Sequence, residues 1–147
     1  MTRLTIELPS QFLFRTDIPV RISDVNYGGH LGNDAILSMA HEARIQFLKE
    51  FGFSELDIDG AGLIMTDAAI VYRSEAFHGE VLTVELGVND LQSAGFDLVY
   101  RIFGKTDARE VALVKTGLVF FNYTTKKVVR MPEKFRFWMT SRSAPSA

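Results

Sequence analysis

The chain has 147 residues, of which 47% are hydrophobic, 12% aromatic and 23% charged. This length and apolar fraction are sufficient for one domain with its own core, and they exclude a disordered or collagen-like chain. Sixteen basic against eighteen acidic residues give a net charge of −2, which leaves no positive excess for a dedicated nucleic-acid binder.

The residue types that are missing or rare exclude further classes of site. There is no cysteine, which excludes disulfides, thiolate metal ligands and a cysteine nucleophile. The three histidines (His30, His41 and His78) are scattered, so neither a metal site nor a cofactor is predicted. No apolar run of about 18 residues occurs, so no membrane contact is expected. Because Met1–Ser10 also lacks the features of a signal peptide, we expect a soluble cytoplasmic protein.

The first predicted elements are a strand and a long helix, joined by a glycine-rich loop. The strand fits Asp17–Ser23. The loop, Asp24–Asn33, contains three glycines, whose backbone freedom suits a tight turn. Asn33 is predicted to be the N-cap of a helix that runs to about Phe51.

The helix is predicted to be largely buried. Asp34 suits its first turn, where it meets the positive end of the helix dipole, and Gly52 suits its C-terminal end. Apolar residues recur at helical spacing along one face, which is broadened on either side. The members of this face are Ile36, Ala40, Ala43, Phe47 and Phe51, with Leu37 and Leu48 beside them.

Four long strands rich in β-branched and aromatic residues are predicted after the helix. They are Leu63–Arg73, Glu80–Asn89, Phe96–Phe103 and Val111–Tyr123. Their short connections favour antiparallel neighbours. The element order therefore predicts an α+β fold, in which an antiparallel sheet of about five strands wraps around one long helix. We expect a single domain over residues 1–139 and a flexible tail over 140–147.

The aromatic content of the strands bears on assembly. Phe103, Phe120 and Phe121 are difficult to place together in a single core between one helix and one sheet. A wrapped sheet also leaves edge strands uncovered. We therefore expect the protein not to be a monomer.

The loop and the helix carry a recognisable pattern. The run Asp24-Val-Asn-Tyr-Gly-Gly-His-Leu-Gly-Asn33, followed by His41-Glu-Ala-Arg44, resembles the hot-dog-fold acyl-CoA thioesterases, and most closely the 4-hydroxybenzoyl-CoA thioesterase-like branch. The resemblance extends over Ile18–Pro132 through Val71-Tyr72-Arg73, Gly79–Val84 and Arg130-Met131-Pro132. It implies a hot-dog fold and hydrolysis of an acyl-CoA or another acyl thioester. It also implies homodimers with a continuous sheet, often paired into homotetramers, with sites at the interface.

The chain departs from the family pattern at one catalytic position. The family's second aspartate, its usual nucleophile or general base, is replaced by Asn26. A carboxamide is a poor nucleophile and takes no proton from water near neutral pH, although it can hold a water molecule. The tyrosine common in the family's helix is replaced by Ile36, whereas Asp24 and His30 are retained.

Thioester hydrolysis needs an activated water and a donor for the oxyanion. The helix N-terminus after Gly32 offers backbone N–H groups to the oxyanion. Asn26 is the candidate that holds the water, and the candidate bases are Asp24, His30, Asp67 and Glu42. Asp67 is notable because its strand is otherwise apolar, which predicts a buried carboxylate with a raised pKa.

Candidate substrate-binding residues follow from the same pattern. Gly32, Asn33, Tyr72 and Arg73 are expected to contact the substrate. The phosphates of Coenzyme A need cations, and the sequence does not choose among the candidates. These candidates are Arg73, Arg101, Lys105, Lys126 and Arg130.

Each candidate also has a structural interpretation. The side chains of Asn26 and Asp24 could cap the loop, and His30 could anchor it. Asn33 suits the helix N-cap. Asp67 suits an ion pair with Arg73 or with a cation of a partner subunit. Glu42 and Arg44 suit salt bridges near a subunit interface.

The functional hypotheses therefore fall into two main classes. The first is an acyl-CoA thioesterase-like hydrolase, and the second is a non-catalytic acyl-thioester binding protein in which Asn26 marks lost catalysis. A hot-dog dehydratase or isomerase and a purely structural dimer fit the pattern less well. Asn26 is the residue that discriminates between the first two hypotheses.

Overall fold

The computed structural model describes residues 3–141. The elements are five long strands, one short strand, two α-helices and one turn of 3-10 helix. In chain order they are β1 (Phe12–Pro19), the 3-10 turn (Ile22–Asp24), α1 (Asn33–Lys49), β2 (Gly62–Tyr72), β3 (Val81–Asn89), β4 (Gly95–Gly104), β5 (Glu110–Asn122), β6 (Lys127–Val128) and α2 (Glu133–Ser141).

The sheet is antiparallel throughout, with the strand order β1-β3-β4-β5-β2 and with β6 paired to β5. Helix α1 lies against the inner face of this sheet, and Ala40, Ala43 and Phe47 are fully buried there. Small residues let the helix approach the strands closely, while Phe47 fills the space between them. The predicted α+β fold, a sheet around one long helix, is confirmed.

The predicted ends of α1 are each correct in part. The N-cap is Gly32 rather than Asn33, which is the first helical residue. At the other end, Gly52 has a φ of 81°. The amide of Gly52 donates to the Lys49 carbonyl and the amide of Phe53 to the Leu48 carbonyl, which is the Schellman pattern expected of a glycine there. Phe51 is 44% exposed, so it does not belong to the buried face.

The four later strands lie within one residue of their predicted bounds, but β1 does not. It begins at Phe12, five residues before the predicted start, and it ends at Pro19. A register shift between Phe12 and Phe14 interrupts the alternation of the strand, so its first half has no period-2 signal. The residues after Val20 form the 3-10 turn instead of extending the strand.

Helix α2 was not predicted. It places the buried Phe135 and Trp138 over the C-terminal end of α1. Trp138 stacks on Phe47 at 4.8 Å between ring centroids, and Phe135 packs at 5.3 Å from Phe120. The helix thereby closes the end of the core. Thr140 and Ser141, which the sequence assigned to the tail, are its last residues, and the rest of the predicted tail, 142–147, lies outside the described residues.

The phenylalanines that seemed difficult to accommodate lie on different faces. Phe120 is fully buried in the core between the sheet and the helices. Phe103 and Phe121 are half-buried. Phe103 pairs with Thr83 across the sheet, and the Arg101 guanidinium lies 5.3 Å from the centroid of its ring. A single core therefore does not have to hold all three rings.

Candidate active site

The glycine-rich loop before α1 forms a tight reverse turn. The amide of Asn26 donates to the His30 carbonyl at 2.9 Å, and the amide of Gly29 donates to the Asn26 carbonyl at 3.1 Å. Gly29 has a φ of 86°, which explains the need for glycine at this position. A bridge between Val25 and Leu31 closes the base of the turn. The turn therefore presents Asn26 and His30 at fixed positions.

The loop forms a hydrogen bond with only one of the two polar atoms of the Asn26 side chain. Its Oδ1 accepts a hydrogen bond from the Gly28 amide at 2.9 Å, which is the loop-capping role considered from the sequence. Its amide nitrogen has no protein acceptor within residues 3–141. A Cβ at Gly28 would lie 3.3 Å from this Oδ1 and 3.6 Å from Cε1 of His30. The absence of a side chain at Gly28 therefore leaves room for the Asn26 side chain and the imidazole on either side of it.

His30 is held from the opposite side by the segment that follows β2. It forms a backbone bridge with Phe77, and the amide of Leu31 donates to the Ala76 carbonyl at 2.8 Å. The Phe77 ring meets the imidazole edge-on, with 5.9 Å between centroids. Nε2 of His30 lies 3.5 Å from Oε1 of Glu75.

The N-terminus of α1 offers backbone donors beside this turn. The amide of Gly32 donates to the Asp24 carbonyl and the amide of Ala35 to the Gly32 carbonyl. In the part of the chain that is described, the amides of Asn33 and Asp34 have no protein acceptor. The Tyr72 hydroxyl, at the end of β2, donates to the Asn33 carbonyl at 3.2 Å and fixes that strand to the first turn of the helix.

These elements enclose one cavity of about 290 Å³, which we call the Asn26 cavity. It brings together five of the residues predicted from the sequence: Asn26, His30, Asn33, Tyr72 and Arg73. Gly32 does not line it, although it starts the helix that does. The lining also includes Ser74 and Glu75, which sequence reasoning missed. Glu75 directly follows a strand end, but no sequence pattern places that segment beside His30.

Asp24 and Glu42 lie elsewhere, in a groove of about 460 Å³ between β1 and α1. Asp24 accepts a hydrogen bond from the backbone amide of Arg21 at 2.9 Å, so it caps the 3-10 turn. Glu42 accepts one from the Gln46 side chain at 2.8 Å. Neither carboxylate lines the Asn26 cavity.

Asp67 contradicts the prediction that it is buried with a raised pKa. Its side chain is 61% exposed and pairs with Lys115 at 2.9 Å, not with Arg73. The hydrogen bond from Lys115, assisted by one from the Gly117 amide, lowers the pKa of Asp67. The physical reason is a register shift between Met65 and Asp67, which changes the side-chain alternation of the strand.

Arg44 forms a buried network in place of the predicted interface salt bridge with Glu42. Its Nε donates to Glu55 at 2.9 Å and its guanidinium also donates to the Tyr100 hydroxyl at 2.9 Å. Burial raises the pKa of Tyr100, so the phenol stays neutral. Burial opposes the ionisation of Glu55, but hydrogen bonds from His41 and Arg44 outweigh it and lower the pKa of Glu55. This network ties α1 to strand β4 of the sheet.

Arg73 is the candidate phosphate-binding cation that the structure places at the cavity. Its Nε lies 3.5 Å from Glu110 and its side chain is half exposed. Lys105 pairs with Asp17 at 2.8 Å beside the β1 groove, and Arg101 packs on Phe103. Residues 3–141 contain no cluster of metal-ligating side chains. The same residues include no helix that is long and apolar enough to cross a membrane.

Comparisons with known proteins agree with this geometry. The sequence profile of the thioesterase-like superfamily matches residues 20–139, which include the loop, helix α1, all strands after β1 and most of α2. No curated protein matches the chain at a significant level.

Solved structures show the same architecture. A 1,4-dihydroxy-2-naphthoyl-CoA thioesterase from Synechocystis superposes with a TM-score of 0.80 at 22% identity, covering 86% of this chain and 95% of that one. A hypothetical protein from Staphylococcus aureus, solved in complex with CoA, gives 0.82 at 17% identity and coverages of 97% and 92%. A DHNA-CoA thioesterase from Staphylococcus aureus gives 0.75 at 21% identity and coverages of 88% and 89%. At these identities the likeness shows the hot-dog fold.

Proposed function

The chain belongs to the thioesterase-like superfamily, and on this premise we propose that it hydrolyses an acyl-CoA thioester at the Asn26 cavity. The observation that carries the proposal is the convergence there of the Asn26 carboxamide, the His30 imidazole and Asn33, the first residue of helix α1. Thioester hydrolysis needs this combination, because negative charge develops on the carbonyl oxygen while water is deprotonated.

The roles follow from hydrogen-bonding capacity. Asn33 lines the cavity, and its amide belongs to the first helical turn, where the helix dipole adds positive potential, so this amide suits the carbonyl oxygen. The carboxamide of Asn26 has its oxygen bound to Gly28 and therefore acts as a donor. It positions the water or supports the oxyanion, and it neither takes a proton nor attacks the carbonyl.

The leaving thiol is proposed to be Coenzyme A. Arg73 lies at the cavity, and a guanidinium binds phosphate oxygens through charge-assisted hydrogen bonds. The CoA complex of the Staphylococcus aureus neighbour supports this choice of thiol. The cavity volume is at the lower end for small-molecule sites, which are commonly about 300–1,000 Å³, so it favours a short or ring-shaped acyl group over a long chain.

We propose that the working form is a homodimer, and analytical sedimentation tests this proposal. Strand β2 is an edge of the sheet, and its middle residues, Met65 to Ala68, are exposed. An uncovered edge of this length is a template for pairing with a second copy. Tyr72, at the end of the same strand, lines the cavity, so a copy paired along β2 lies beside the site.

The deciding experiment measures thiol release with a free-thiol dye. The panel contains the CoA thioesters of acetate, hexanoate, palmitate, benzoate, 4-hydroxybenzoate and 1,4-dihydroxy-2-naphthoate. We expect turnover well above spontaneous hydrolysis on at least one short or ring-shaped substrate, and little on palmitoyl-CoA. Measurable acyl-CoA binding without turnover on the whole panel contradicts the hydrolase.

A second candidate function is a non-catalytic acyl-thioester binding protein. The observation that favours it is the loop hydrogen bond of Asn26, which gives this residue a structural role where the family has an aspartate. The variant Asn26→Asp separates the two functions. If the protein is a hydrolase built around Asn26, the carboxylate brings little gain, whereas a binding protein gains turnover that it lacked.

A further inference from the structure

Glu75 is a carboxylate at the Asn26 cavity that neither the sequence pattern nor the proposed function uses. The cavity lining contains one carboxylate among the residues that the structure describes, and that carboxylate is Glu75. The other acidic candidates are occupied elsewhere: Asp24 caps the 3-10 turn, Glu42 lies in the β1 groove, and Asp67 pairs with Lys115. The chain thus has an acid at the cavity although Asn26 replaces the family's aspartate.

The position of Glu75 relative to His30 is fixed by the backbone. The bridge between His30 and Phe77 and the bond from the Leu31 amide to the Ala76 carbonyl join the turn to the two residues that directly follow Glu75. The edge-on Phe77 ring restrains the plane of the imidazole. The resulting separation between Nε2 of His30 and Oε1 of Glu75 is 3.5 Å, which is an ion-pair distance.

The other charged side chain that lines the cavity is directed away from the His30–Glu75 pair. Arg73 is the other charged residue lining the cavity, and its guanidinium is directed to Glu110 at 3.5 Å. The side chains of His30 and Glu75 are 38% and 62% exposed, so both are accessible to water and substrate. An imidazole beside a carboxylate is oriented by it, and its charged form is stabilised by it.

We propose that His30 takes the proton from the attacking water, and that Glu75 is the positioning residue that orients the imidazole and stabilises its charged form. This inference rests on the proposed function. Nε2–H of His30 faces Glu75, so Nδ1 is the nitrogen that accepts the proton. The pair supplies the base that the loop lost when asparagine took the place of aspartate.

The step balances with water as the only co-reactant. The water oxygen bonds to the thioester carbonyl carbon as one of its protons moves to Nδ1 of His30. The oxyanion then re-forms the carbonyl while the carbon–sulfur bond breaks, and the imidazolium returns the proton to the departing thiolate. The products are the free acid and the thiol, and both His30 and Glu75 end unchanged.

The test compares Glu75→Gln, His30→Gln and the double variant on the best substrate of the panel. We expect kcat to fall about 10-fold in Glu75→Gln and about 100-fold in His30→Gln, with KM nearly unchanged. The double variant should be no slower than His30→Gln, because Glu75 acts only through the imidazole. The matched control is Glu133→Gln, an exposed carboxylate at the start of α2, which should match the parent protein.

A second readout does not depend on turnover. The C2 proton resonance of His30, assigned by its disappearance in His30→Gln, is compared by NMR between the parent protein, Glu75→Gln and Glu133→Gln at one pH. We expect its chemical shift to move in Glu75→Gln and to stay in place in Glu133→Gln, because Glu75 lies 3.5 Å from Nε2 of His30. An unchanged chemical shift in Glu75→Gln overturns the pairing.

Different experimental results would overturn this inference and the proposed function. If the parent protein releases thiol and Glu75→Gln is equally fast, the role of Glu75 is wrong while the hydrolase stands. Strictly additive losses in the double variant also overturn it. If the parent protein releases no thiol from any substrate, the hydrolase is wrong and the catalytic role of the pair falls with it.

Discussion

The two sides of helix α1 differ in what their polar groups are free to do. On the β1 side, the larger groove collects Asp17, Asp24 and Glu42, each of which already has a partner within the protein. On the β2 side, the smaller Asn26 cavity collects unpaired donors and a loosely paired imidazole. The size of a cavity is therefore a poor guide to chemistry here, and the unused hydrogen-bonding capacity is a better one.

The difference follows from how each side is built. The β1 groove is lined mainly by an edge strand and the middle of a helix, and the amides of that part of the helix bond to carbonyls within the helix. The Asn26 cavity is formed by a turn, a strand end and a helix N-terminus, where backbone donors remain without partners. If this account is correct, substitutions on the β2 side change turnover and those on the β1 side change stability.

The largest effect is expected at Asn26. Asn26→Ala removes the free amide donor as well as the bond to Gly28, and kcat should fall about 100-fold with little change in KM. Steady-state thiol release measures this. A rise in KM at constant kcat would instead make Asn26 a binding residue.

The next effect is expected at Arg73. Arg73→Ala removes the cation at the cavity, so the KM for acyl-CoA should rise about 10-fold, and less at high salt. Lys105→Ala is the control on the β1 side, because Lys105 is paired with Asp17 next to the groove. If the KM for acyl-CoA rises equally in both variants, the CoA phosphates do not bind preferentially on the β2 side.

On the β1 side, Asp24→Asn and Glu42→Gln should leave kcat within about two-fold. Asp24→Asn should lower the free energy of unfolding by about 0.5–1 kcal/mol, because it weakens the cap of the 3-10 turn. Denaturant unfolding and thiol release on the same samples check this. A large loss of kcat in Asp24→Asn, without a change in stability, would return Asp24 to the list of bases.

The smallest effect is expected from pH on the β1 side. The hydrogen bond from Lys105 lowers the pKa of Asp17 in the folded state below its ordinary value of 3.8. The pair therefore stabilises the protein above about pH 4, and this contribution is lost as pH falls through the folded-state pKa. The Tm difference between the parent protein and Asp17→Asn, measured from pH 6 downwards, should shrink in that range. A constant difference would show that the charge of Asp17 contributes nothing.

The sequence predicted those parts of the fold that have a clear local composition or period. The strands β2 to β5 are rich in β-branched and aromatic residues, and the apolar residues of α1 recur at helical spacing. The start of β1 is hidden by its register shift, and α2 owes its position to rings that are distant in sequence, such as Phe47 and Phe120. Short-range patterns contain no signal for that packing.

The residues of the candidate site were also predicted only in part. Asn26, His30, Tyr72 and Arg73 were singled out through the resemblance, and the structure brings them together. Asp67 was singled out from its apolar surroundings, and a single extra residue in the strand turned it to solvent. Glu75 was missed because its position depends on backbone bridges between two segments more than 40 residues apart in the chain.

The turn and the segment after β2 are joined by their main chains. This bears on which substitutions the site tolerates. The contacts between the two segments run through main-chain hydrogen bonds, which almost any side chain permits, and the side chains of Asn26, His30 and Glu75 lie outside the hydrophobic core. Acidic, amide and imidazole groups can be exchanged at these positions with little risk to folding. The chemistry of the site can therefore change without a change in the fold that holds it.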